Sequence, residues 1–192
     1  MRVTIIYAHP NPDSFNSAIL QTTIKVLKER NVDYRVIDLY KDFKKVVLDG
    51  DDFEILQKGE NPEDVIKFQN DILWATKLIF IYPVWWWQFP AILKGFVDRV
   101  FSYGFAYSTD ENGIVPLLKH EKGLVFMTTG GPREEYEGSV RLDVLKLPIT
   151  EGVMGFCGVK KCETHIFYSV PTVSDEIRKN YLKIVEEAVK KF

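Results

Sequence analysis

Apolar residues follow two rhythms along this chain. Five stretches have strand length, at residues 3–8, 34–38, 78–82, 124–129 and 164–168, and the first, third and fourth are almost uninterruptedly apolar. Between them, apolar positions recur at spacings of three and four, the period of a helix with one buried face. Leu20, Ile24 and Leu27 carry the first such stripe, and Leu93, Phe96, Val97, Val100 and Phe101 another. Ile177, Tyr181, Ile184, Val185, Ala188 and Val189 carry the last, with Ser174 placed to cap it. Further helices are predicted over 62–74 and 142–156, although Pro148 and Gly152 interrupt the latter. Pro90 suits the first turn of a helix, where its missing N–H would be unpaired anyway. Residues 41–61 are polar and mixed, broken by Gly50, Gly59 and Asn61-Pro62, and read as loops with a short helix. The stretch holding Asp110, Asn112, Gly113 and Pro116 reads as a loop.

Strands thus alternate with helices five times. Strands that are apolar on both faces belong in a parallel sheet covered on both sides. The predicted fold is a three-layer, doubly wound α/β domain, with a five-stranded parallel sheet in the flavodoxin-like order 2-1-3-4-5. At 192 residues a single domain over 1–192 is the simplest organisation. A domain of this size buries roughly 70% of the surface its unfolded chain would expose, so it needs no disulfide or metal to fold.

Composition narrows the function. Hydrophobic residues make up 46% and charged residues 27%, ordinary values for a soluble globular protein, but aromatics reach 14%, which is high. The net charge is −2, and the basic clusters, Lys41 with Lys44 and Lys45, and Lys190 with Lys191, are short. Nothing there resembles a nucleic-acid footprint. Cys157 and Cys162 lack a redox or zinc-binding spacing and read as free thiols of a reducing compartment. No signal peptide opens the chain and no apolar run reaches a membrane span, so a cytoplasmic location is expected.

In an open α/β sheet, ligands bind beyond the carboxyl ends of the strands, near the point where strand order reverses. The loops after strands one, three and four meet there. His9, Ser14, Phe15, Asn16 and Ser17 belong to the first. With the free N–H groups of a helix start, their hydroxyl and amide groups make an anion site without a glycine-rich fingerprint. Pro83, Val84, Trp85, Trp86 and Trp87 make the second, an aromatic wall. Thr128, Thr129, Gly130 and Gly131, with Tyr136 beyond, make the third, whose backbone donors can hold an oxygen that gains negative charge. Each has a plainer alternative: a helix cap, a packed core or dimer surface, and a simple turn. Jointly they match flavin mononucleotide, with its phosphate, its chain of hydroxyls and its flat ring.

The chain also resembles the NAD(P)H:quinone oxidoreductases of the flavodoxin-like fold, including bacterial quinone reductases. The matching motifs are His9-Pro10 with Ser14-Phe15-Asn16, and Pro83-x-x-Trp86-Trp87-x-x-Pro90-Ala91-x-Leu93-Lys94-Gly95-x-x-Asp98-Arg99-Val100. Phe105-Ala106-Tyr107, Thr128-Thr129-Gly130-Gly131 and Tyr136 complete them. The resemblance implies a bound flavin, FAD with FMN as the alternative, and NAD(P)H as co-substrate. His9, Ser14, Phe15, Asn16 and Ser17 would hold its phosphates, and Pro83 to Trp87 would line the ring. Thr128 to Gly131 would contact its pyrimidine edge, with Tyr136 alongside, so that Tyr136, Gly130 and Gly131 act at the reacting centre. A homodimer is implied, with Tyr107 and Trp86 covering the substrate pocket, and so is ping-pong hydride transfer to a quinone.

One departure matters. Some members of this family carry a His shortly after the position of Tyr136, and residues 137–147 here contain none; Arg133 or Arg141 could take its role. Alternative functions are azo or nitro reduction, or service as the flavin-binding regulatory subunit of a potassium-efflux system. The last would be the one route to a membrane, through a transporter partner.

Overall fold

The computed structural model describes residues 1–192. The core is a five-stranded parallel sheet of β1 (Arg2–Tyr7), β2 (Asp33–Asp38), β3 (Lys77–Pro83), β6 (Lys122–Thr128) and β7 (Cys162–Phe167), in the order β2-β1-β3-β6-β7. In terms of the five sheet strands this is the predicted 2-1-3-4-5 order. Helices α1 (Phe15–Glu29) and α7 (Asp175–Lys191) cover one face. On the other lie α4 (Glu63–Trp74), α5 (Ala91–Val100) and α6 (Val140–Ile149).

The unbroken apolar runs follow from these two covers. Ile79 and Ile81 of β3 pack beneath α1 and α7, while Leu78, Phe80 and Tyr82 pack toward α4 and α5. Both sides of each central strand are therefore buried. The register then brings the functional loops together. Tyr7 sits opposite both Asp38 of β2 and Ile81 of β3, and Pro83 sits opposite Thr128 of β6. The strand ends that feed the predicted loops are level with one another.

Four local expectations are corrected. Residues 107–116 are not a plain loop but an antiparallel hairpin of β4 (Tyr107–Asp110) and β5 (Gly113–Pro116). Its turn is tied by the Asn112 N–H donating to Asp110 Oδ1 at 2.7 Å, and Gly113 supplies the left-handed φ of +117°. The predicted 142–156 helix splits into α6 and a π-helical turn at Thr150–Gly155. Pro148 brings no N–H to the helix, so the ladder loses a bond there just before the chain widens. Residues 39–57 form two short helices, α2 (Leu39–Asp42) and α3 (Gly50–Gln57), rather than one. Pro90 is the N-cap of α5 and not its first helical residue. Ser174 caps α7 as expected, accepting from the Ile177 N–H at 3.4 Å.

Candidate functional site

Nine of the predicted residues line one cleft of about 230 Å³: His9, Phe15, Asn16, Pro83, Val84, Trp85, Thr128, Thr129 and Gly130. They come from the three loops singled out above. Val170 and Pro171, from the loop after β7, close the cleft and were missed. Pro171, shortly after a strand end, was the available signal, but nothing about it suggested a ligand.

The first wall is the start of α1. Ser14 caps it, its Oγ accepting from the Ser17 N–H at 3.2 Å, which leaves other N–H groups of the first turn unpaired by the helix. Asn16 is 3% exposed, and its Nδ2 donates to Thr128 Oγ1 at 2.8 Å, joining the α1 loop to the end of β6. Its Oδ1 is buried and has no partner. A buried acceptor left unpaired costs about 1–3 kcal/mol, so this oxygen calls for a donor from a ligand. His9 Nδ1 lies 3.1 Å from the Asn11 N–H and 3.2 Å from the Asn11 carbonyl oxygen, accepting from the one or donating to the other according to its tautomer, and burial holds its pKa below the ordinary imidazole value.

The second wall is an unusual turn. Trp85 and Gln88 exchange both backbone hydrogen bonds, each at 3.0 Å, so Trp86 and Trp87 form a two-residue hairpin loop. Both have positive φ, +52° and +55°. Such turns ordinarily carry Asn-Gly, and a left-handed conformation costs an ordinary side chain about 1–2 kcal/mol per residue. Trp86 projects at the tip, 88% exposed, while Trp87 is 38% exposed and lies beneath the Arg141 guanidinium at 5.7 Å. Neither lines the cleft. Trp85 does line it, with the His9 ring edge-on at 6.3 Å.

In the third wall, Val84 donates to the Thr128 carbonyl at 2.8 Å and Thr129 to that of Phe167 at 2.9 Å, so both flanking strands grip the loop. Gly130 opens onto the cleft, with no atom within 4 Å of where a Cβ would stand. Its N–H takes part in no backbone hydrogen bond. Gly131 is turned away. A Cβ there would come within 2.6 Å of Glu135 Oε2 and 3.0 Å of the Tyr136 hydroxyl. Tyr136 is itself buried and packs against Tyr168 at 5.7 Å, behind the loop. Tyr107 lies on the hairpin, edge-on to Phe156 at 4.9 Å, outside the cleft of its own chain. Of the two arginines, Arg133 is paired with Glu137 at 2.7 Å and only Arg141 reaches the tryptophan turn.

Ser17 faces a second lobe of about 500 Å³, which shares His9 with the cleft. A larger cavity, about 720 Å³, surrounds Arg99. There the guanidinium already bonds both carboxylate oxygens of Asp52 and of Asp64, at 2.6–2.9 Å. It is an ion network fastening α5 to α3 and α4, with no donor to spare for a ligand.

The fold and the three-loop cleft define a flavodoxin-like protein, and comparison with known proteins agrees. The family described as having a flavodoxin-like fold matches residues 1–189, and the chain belongs to it. It is 32% identical over 188 residues to an uncharacterised NAD(P)H oxidoreductase of Haemophilus influenzae, covering 97% of this chain and 93% of that one. It is 30% identical over 198 residues to the ribosyldihydronicotinamide dehydrogenase [quinone] of Rattus norvegicus, covering 93% and 86%. A solved NAD(P)H:quinone oxidoreductase from Methanothermobacter marburgensis superposes with a TM-score of 0.90 at 30% identity, over 98% of this chain and 97% of that one. The chain therefore sits within the oxidoreductase branch of the family. No helix is long and apolar enough to cross a membrane.

Proposed function

We propose that this protein is a flavin-dependent NAD(P)H:quinone oxidoreductase, with FAD as its cofactor and FMN as the alternative. The observation that carries the reading is the convergence, in one cleft, of a helix start, an aromatic wall and a glycine-opened backbone. When bound, the flavin supplies two-electron redox chemistry, in a ping-pong cycle that takes reducing equivalents from NAD(P)H and gives them to a quinone. The residues present fit the group. The orphaned Asn16 Oδ1 lacks a donor, which a hydroxyl of the ribityl chain would provide. A side chain at Gly130 would fill the space a ring needs.

In this reading the α1 start, with Ser14, Phe15, Asn16 and Ser17, holds phosphate through free N–H groups, helped by His9. Pro83, Val84 and Trp85 pack one side of the ring. The Gly130 N–H, with Thr128 and Thr129, donates to the ring edge where negative charge develops. Gly131 and Tyr136 act as positioning residues behind that loop, since Tyr136 is buried against it rather than open to the cleft.

A homodimer completes the pocket. Trp86, Tyr103, Val140, Leu147 and Phe156 are all exposed on the single chain and supply apolar surface that a partner chain would cover. A partner chain would bring its Tyr107 hairpin and its tryptophan turn toward the acceptor. The site of action is the cytoplasm. The direct test is Gly130→Val. It should abolish flavin binding, followed by quenching of flavin fluorescence, while leaving the circular dichroism spectrum unchanged. Undiminished flavin binding by the folded variant would overturn the assignment.

A further inference from the structure

We propose that the free edge of β7 is a docking groove, in which an extended peptide of alternating acidic and apolar side chains adds as a sixth strand of the sheet. The groove shares no residue with the cleft, so the inference stands apart from the flavin reading. β7 is the last strand of the sheet and pairs only with β6. The Lys161 and Phe167 carbonyls accept from Gly123 and Thr129 on the β6 side, at 2.7 and 2.9 Å. Backbone direction alternates along a strand, so the even-numbered residues between them, Thr164 and Ile166 included, turn their N–H and C=O groups outward, where no strand meets them.

Thr164 and Ile166 line a groove of about 230 Å³, bounded by Arg133 and Lys146 of α6 on one side and by Tyr181 and Ile184 of α7 on the other. The α7 wall is apolar. Val185, Ala188 and Val189 of the α7 stripe are buried, but Ile177 and Ile184 on the same stripe are 40% and 44% exposed. The α6 wall is basic. Arg133 is paired with Glu137 at 2.7 Å, but Lys146 has no carboxylate partner, and neither do Lys160 and Lys161, exposed just before the strand. Glu163 is already held by Lys122 and His165, at 2.7 and 2.8 Å, and Glu151, near Cys162, is the opposing carboxylate.

Outward-facing amide and carbonyl groups select an extended backbone, and an added strand shows alternate side chains to the two faces of the sheet. Those on the α7 side meet Tyr181 and Ile184; those on the α6 side meet Lys146. The groove therefore selects apolar and acidic residues in alternation. A lone small anion satisfies Lys146 but leaves the strand edge unpaired and the isoleucines uncovered.

The probe is a peptide with blocked ends, as long as β7 at six residues, alternating valine and glutamate. Amide NMR with hydrogen exchange on the full chain reads its effect. In the free protein the Thr164 and Ile166 amides exchange rapidly. With the peptide at millimolar concentration they slow at least tenfold, whereas a peptide with lysine in place of glutamate has no effect. Lys146→Glu weakens the glutamate peptide at least fivefold, with the circular dichroism spectrum unchanged. Methylated backbone nitrogens separate strand addition from side-chain capture. Because N–H direction and side-chain face alternate together, methylating either all the valines or all the glutamates abolishes binding, and methylating the other set spares it. The proposal is overturned if the glutamate peptide leaves these amides unchanged, if Lys146→Glu does not weaken it, or if the two methylation patterns act alike, as a site for a lone carboxylate requires. It is equally overturned if the amides are already protected in the free protein to a degree that rises with protein concentration, since a second copy then occupies the edge.

Discussion

Trp86 and Trp87 share one strained turn but differ in burial, and that difference predicts opposite fates for the same substitution. Each adopts positive φ, so Asn, which tolerates this conformation, should relieve about 1 kcal/mol at either position. What is lost is buried apolar area. A tryptophan offers up to roughly 250 Å². Trp86, 88% exposed, gives up about 30 Å² of it, worth about 0.7 kcal/mol at ~25 cal/mol/Å². Trp87, 38% exposed, gives up about 150 Å², worth about 4 kcal/mol as an upper bound, together with its contact to Arg141. Trp86→Asn should therefore leave stability within about 1 kcal/mol of wild type, and Trp87→Asn should cost about 2–3 kcal/mol. Urea unfolding of flavin-free protein, followed by far-ultraviolet circular dichroism at two protein concentrations, measures both. A cost for Trp86→Asn that grows with protein concentration is burial by a partner chain. Equal costs for the two substitutions at the lower concentration would refute the reasoning.

Removing Arg99 with Arg99→Met leaves the buried Asp52 carboxylate with Lys45 at 3.1 Å as its one ion-pair partner, beside the Asp49 N–H at 3.4 Å, and should cost about 3–5 kcal/mol in urea unfolding at pH 7. Asp64→Asn, at the half-exposed side of the same network, should cost clearly less. The Arg99 guanidinium also lowers the Asp52 pKa to about 2. A carboxylate lowered in the folded state stabilises it above the unfolded pKa of about 3.9. Stability should therefore fall by about 2 kcal/mol between pH 4 and pH 2, and this step should be missing in Asp52→Asn. Gly95→Ala should destabilise by several kcal/mol or prevent folding, because the new methyl would sit 2.0 Å from the Val46 carbonyl oxygen, and thermal unfolding reads this directly. Burial pushes the Cys157 and Cys162 thiols up to about 11 and about 12, so both should react with a thiol reagent at pH 7.5 far more slowly than a free cysteine.

The sheet was legible because strands buried on both faces leave continuous apolar runs, as in residues 78–82, which no exposed element imitates. The cleft was legible because its chemistry is concentrated in three loops, and strand register alone makes those loops converge. What escaped was decided by tertiary contact. The β4–β5 hairpin has short strands and only partly buried faces, so its pattern resembles a loop. The left-handed turn at Trp86-Trp87 cannot be read from two tryptophans, whose usual preference is the opposite. Gly130 and Gly131 look equivalent in sequence, and only their neighbours reveal that one faces the cleft and the other faces Tyr136.

The central claim is that the cleft between the α1 start, the tryptophan turn and Gly130 holds a flavin. Protein purified without added cofactor can be examined for visible absorbance, then heated, and the released chromophore identified by chromatography. The account predicts a yellow protein releasing close to one FAD or FMN per chain, or a colourless one that takes up either flavin stoichiometrically. A folded, colourless protein that binds neither flavin would contradict it.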